Sequence, residues 1–150
     1  MNKPAPAVWS LLAFALLSAP AFAGLGDDAT SIQSDLARMK GTLHSSTTGQ
    51  YTVHEIRTTY GTVVREYVSP ANKVFAVSWR GPQIPDLREV LAGYYGQYEL
   101  AASAPHVARR HLRIDQPGLV VQSSGHTRAF SGRAWVPSLL PPTFAVTAID

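Results

Sequence analysis

The 150-residue chain contains no cysteine. Thiol nucleophiles, thiolate zinc sites, cysteine-bound iron–sulfur clusters and disulfides are therefore excluded, as is a lipid anchor on a cysteine. Lysine is scarce, with three against ten arginines among the 13 basic residues. Arginine at that share favours fixed ion pairs and anion contacts over simple solubility. Long apolar runs are also missing. The longest, Val8 to Leu17 (VWSLLAFALL), is half the roughly 20 residues that a membrane-spanning helix needs, and Pro20 breaks the pattern three residues later. The glycines form neither G-x-x-x-x-G-K-[ST] nor G-x-G-x-x-G, so no nucleotide-phosphate loop is expected. No G-x-S-x-G elbow and no H-E-x-x-H pair occurs.

What is present begins with an export signal. Lys3 precedes the short apolar run, and Ala21-Phe22-Ala23 then places small residues at the −3 and −1 positions before Gly24. These features predict a secretory signal peptide over residues 1–23, cleaved between Ala23 and Gly24. The expected address is the periplasm or the exterior. Gly24 to Asp150 then forms a single α+β domain, of a length that supports a core without disulfides. Loss of Lys3 lowers the net charge of +3 by one. The remaining excess of positive charge is too small for a nucleic-acid surface.

The hydrophobic pattern predicts a helix over Ser31 to Lys40, with Ile32, Leu36 and Met39 on one face and Gly41 as its left-handed stop. Residues 50 to 79 predict a three-strand antiparallel meander, turning at Tyr60-Gly61 and at Pro70-Ala71-Asn72. In its last strand, alternation puts Phe75, Val77 and Trp79 together on the core face. Asp86, with Glu89 three residues on, caps a second helix. Its stripe is Leu87, Val90, Leu91, Tyr94, Tyr95 and Tyr98, and Gly93 and Gly96 mark a close crossing of the sheet or, for Gly93, the helix end. The stretch from Arg109 to Arg113 reads as a basic surface loop. A second strand pair then turns at Ser124-Gly125, and a proline-containing tail runs along the surface. The expected architecture is an antiparallel sheet of about five strands with two helices packed on one face, in the order α-β-β-β-α-β-β.

The segments GTVVREYVSPANKVFAVSWRGPQIPDL and SSGHTRAFSGRAWVPSLLP resemble family 2844 of the bacterial domains of unknown function. The resemblance runs from about Tyr51 to Pro141. It implies a small exported protein with a signal peptide, and it implies no activity, cofactor or catalytic residue. Arg65, Trp79, Arg80, Asp86, His126, Arg128 and Arg133 all lie inside the matching segments.

Among constellations with chemical potential, the five histidines (His44, His54, His106, His111 and His126) show no metal-ligand spacing. Neither a metal nor a cofactor is expected. Ser123-Ser124-Gly125-His126 places serine near histidine at a turn, where the same residue types serve turn geometry. Asp86 and Glu89 are accounted for as caps, and Glu66 as the partner of a nearby arginine. There remains a set of arginines and aromatics: Trp79 and Arg80 at one strand end, and His126, Arg128 and Arg133 around the last hairpin. Guanidinium forks bind carboxylate and phosphate and stack on rings. The reading is a non-enzymatic exported binding or accessory protein whose surface at Trp79, Arg80, His126, Arg128 and Arg133 takes a protein, peptide or anionic glycan of the cell envelope. A structural subunit of an envelope assembly and a small hydrolase using His126 are the alternatives.

Overall fold

The computed structural model describes residues 24–104 and 111–150. The expected signal peptide, and Arg109 and Arg110 of the basic stretch, lie outside these residues. Seven strands form one antiparallel sheet: β1 (Thr42–Thr48), β2 (Tyr51–Arg57), β3 (Val63–Val68), β4 (Val74–Gly81), β5 (His111–Gln116), β6 (Leu119–His126) and β7 (Ala129–Trp135). Their spatial order is β1-β2-β3-β4-β7-β6-β5. An N-terminal meander of four strands and a C-terminal meander of three therefore meet along β4 and β7. The helices are α1 (Ile32–Met39), α2 (Leu87–Leu91) and α3 (Tyr95–Ala102).

The sheet has two more strands than the sequence pattern predicts, and both are edges. β1 reads TLHSSTT and buries no side chain fully, so it carries no apolar alternation. It is held by pairing with β2 along its whole length, from Thr42 opposite Arg57 to Thr48 opposite Tyr51. β5 begins within the expected basic loop. Its Leu112 and Ile114 point to the core while His111, Arg113 and Asp115 are exposed, a period-2 pattern that the cluster of cations obscures.

The helices pack on one face of the sheet through Ile32, Met39, Val90 and Leu91 against Ile56, Val64, Val77 and Val121. The second helix is not continuous. It breaks at Ala92, where φ is 44°, and restarts as α3 after a 3-10 turn. Gly93 and Gly96 face open space, so neither marks a close crossing. Asp86 caps α2 as expected, accepting from the Arg88 N–H at 2.9 Å. The left-handed stop of α1 falls on Lys40, with φ 48°, rather than on Gly41. Gly41 is required for another reason, since a Cβ there would lie 2.6 Å from the Arg57 carbonyl oxygen.

Two further expectations are corrected by register. Val68 pairs with Val74 and Tyr67 with Ala76, leaving Phe75 as an extra residue in β4. The bulge reverses the alternation beyond it. Val77 and Trp79 face the helices, while Phe75 turns to the opposite face among Tyr67, Tyr51 and Phe144. The last hairpin turns at Thr127-Arg128, not at Ser124-Gly125: Gly125 pairs with Phe130 inside the strands, and Arg128 takes a φ of 64°. A Cβ on Gly125 would collide with the Phe130 ring, so the glycine serves close packing.

Candidate functional site

The face opposite the helices is built by strand register. One row across it runs Glu55, Arg65, Ser78, Arg133, Gln122 and Arg113. The next row carries Arg80, Ser131, Ser124 and His111. Arginines distant in sequence are brought together because β4 and β7 are neighbours. From β4 to β5, these rows floor an open groove of about 830 Å³ on the outer face.

The tail does more than run along the surface. It crosses this face and is bound to it. Arg133 donates from Nη1 to the carbonyls of Val146 and Ile149, at 3.2 and 3.3 Å, and from Nε and Nη2 to Gln122 Oε1. The main-chain oxygen of Asp150 accepts from Arg65 Nη1 and Ser78 Oγ, each at 2.7 Å, and from the Tyr67 hydroxyl at 3.2 Å. The Asp150 carboxylate lies 3.3 Å from Arg80 Nη2. Ile149 is buried beneath, with Tyr67, Phe75 and Trp135.

The expected site residues separate into three groups. Arg80 and Arg133 both line the outer-face groove, from the neighbouring strands β4 and β7. Trp79 borders the groove but is only 3% exposed, and its ring packs on the helix side under Gly132, so it offers no stacking surface. His126 and Arg128 stand at the hairpin tip, beside a second recess of about 540 Å³ bounded by Pro82 and Phe130. His126 is exposed there. Ser124 turns its hydroxyl to Ser131, 3.2 Å away, so this placement does not favour a hydrolase built on His126.

Glu55, not Glu66, takes Arg65, with 3.0 Å between Nε and Oε2. Glu66 is 1% exposed on the helix side, with His54 and Val77 as its register neighbours. His54 accepts or donates at Nδ1 to Ser45 Oγ, 2.7 Å away. Burial lowers the His54 pKa below 6.5 by penalising the imidazolium. Sequence reasoning missed this cross-strand pair, which depends on β1. It also missed His111, Arg113, Ser78 and Gln122 as groove residues. The alternation within HLRIDQ is the signal that would have placed the first two.

A family model described as a protein of unknown function (DUF2844) matches residues 21–149. The chain belongs to the DUF2844 family. No curated protein and no solved structure matches it. For this DUF2844 chain, the arginine rows, the bound tail and the groove beside them are thus the features from which a function is argued. Among the described residues no group of three or more histidine, aspartate or glutamate side chains is placed to hold a metal ion, and no helix is long and apolar enough to cross a membrane.

Proposed function

We propose that the chain is a non-enzymatic binding or accessory protein, exported to the periplasm or beyond after cleavage between Ala23 and Gly24, with Gly24 to Asp150 as one α+β domain. It binds an anionic group of an envelope protein, peptide or glycan in the outer-face groove. The observation that carries the reading is the convergence of Arg80, Arg113 and Arg133 over a floor of serine hydroxyls. Guanidinium groups with small hydroxyls between them suit a charged, hydrogen-bonding ligand. Leu25, Gly26 and Ala29 are hydrogen-bonded to Val90, Val74 and Asn72, so the proposed mature chain keeps its first residues as part of the domain.

The test is twofold. Fractionation and mass spectrometry of the purified protein are expected to give an envelope or secreted species starting at Gly24. Affinity capture from the same fraction is expected to lose its partner with Arg80→Ala plus Arg113→Ala and to keep it with Arg128→Ala. A chain retained in the cytoplasm with Met1 intact contradicts the address. Capture unaffected by the double change contradicts the site.

A second reading, a structural subunit of an envelope assembly, is favoured by β1. This edge is seven residues long, unbulged and free of Lys, Arg, Asp and Glu. Such edges template strand addition, and proteins commonly blunt them with charge. Light scattering is expected to show assemblies dispersed by Thr47→Lys if this reading holds, and monomers throughout if it does not.

A further inference from the structure

The tail shows what kind of chain the outer face holds. Its main-chain oxygens at Val146, Ile149 and Asp150 accept from arginine and hydroxyl donors, and the Asp150 side-chain carboxylate meets a guanidinium. The groove continues this chemistry past the tail, with Arg80, His111, Arg113, Ser124 and Ser131 along it. Arg133 is committed, with its donors on Gln122 and the tail. Arg80 and Arg113 are not bound tightly. Their pairs with Asp150 and Asp115 involve side chains 70% and 75%, and 67% and 60%, exposed. Exposed pairs contribute little, so an incoming carboxylate replaces them at small cost.

From this arrangement we infer that the groove is a site for an extended acidic peptide, gripped through its carbonyls by hydroxyl and guanidinium donors and through its carboxylates by Arg80 and Arg113. The inference rests on the binding-protein reading and names its ligand class. The alternative macromolecule, an acidic glycan, is less well served. Sugar rings use exposed aromatic platforms, and the aromatic ring bordering this groove, Trp79, is buried on the far side. Peptide recognition by main-chain bonds with side-chain anchors needs no such platform.

The experiment is fluorescence polarisation with the protein purified in the form the cell produces. The probe is a labelled peptide, Ala-Ile-Asp repeated three times, and its Ala-Ile-Asn counterpart is the uncharged control. Oligogalacturonate of equal charge and inorganic phosphate serve as unlabelled competitors. Saturable binding of the aspartate peptide is expected, weakened about tenfold or more by Arg80→Ala plus Arg113→Ala and by the asparagine control. Arg57→Ala removes a charge on β2 away from the groove and is expected to change binding by less than about twofold, as for exposed charges generally. An equal loss with Arg57→Ala means attraction by net charge and overturns the inference. If oligogalacturonate binds through Arg80 and Arg113 and the peptide does not, the peptide inference falls while the binding reading stands. Phosphate displacing the peptide at equal concentration shows a bare anion site and also overturns it. If no probe binds through these residues, both readings fall. Unfolding curves of each variant establish that a lost signal is not a lost fold.

Discussion

Trp79 on β4 and Gly132 on β7 are registered partners, and the indole lies against the glycine main chain so closely that a methyl group there would occupy the space of the ring. Gly132→Ala is therefore expected to destabilise the protein by about 1–3 kcal/mol, the usual cost of overpacking. Trp79→Phe makes room at the same point. The double variant should lose less than the sum of the two single losses, since contacting residues are not additive. Urea unfolding midpoints measure all three, and strict additivity would contradict the contact.

Arg133 joins the sheet to the tail through two hydrogen bonds from Nη1, while its Nε and Nη2 are held by Gln122 on β6. Arg133→Ala leaves the carbonyls of Val146 and Ile149 without that donor. A loss of about 1.5–3 kcal/mol is expected for bonds to a charged group. Amide hydrogen exchange should rise from residue 144 to 150 more than in β2 and β3. Uniform protection would show that the tail is held by Ile149 burial alone.

The His54 pKa is lowered by burial, so its folded value lies below 6.5. Between that value and 6.5 the unfolded chain binds more protons than the folded one. Stability must then rise with pH through this window, and the contribution is fully present above it. Lowering the pH from 7.5 to 5 should reduce the melting temperature. His54→Gln, which retains a polar group beside Ser45, should flatten that portion of the curve. An unchanged slope would assign the pH dependence to other groups.

Asp86 caps α2 with a bond of 2.9 Å to the Arg88 N–H. Asp86→Ala is expected to cost about 1 kcal/mol and Asp86→Asn much less. Thermal melts compare the two, and equal losses would mean that charge rather than capping matters.

The family, the central meander and the starts of α1 and α2 are legible in the sequence because apolar periodicity and capping residues are local signals. The rest fails where the decisive contact is distant. β1 has no apolar face and exists through β2. The Phe75 bulge is invisible without its partner strand, so alternation puts Phe75 on the wrong side. Gly125 looks like a turn residue until the Phe130 ring is seen to need its space. The site is half legible for the same reason. Arg80 and Arg133 are recognisable as chemically capable, but only the β4–β7 register brings them together, and the residue type that makes Trp79 attractive for binding is what buries it.

The strand order has a kinetic consequence. Every neighbouring pair in the sheet joins strands consecutive in sequence except β4 and β7, which link Ala76 to Trp135. Hairpins close in microseconds, whereas a pairing over such a separation waits on the entropy of closing a long loop. The two meanders therefore form first, and their docking along one seam sets the folding rate. Trp79 and Gly132 lie on that seam, so the groove comes into being at the slowest step, when the two halves of the sheet meet.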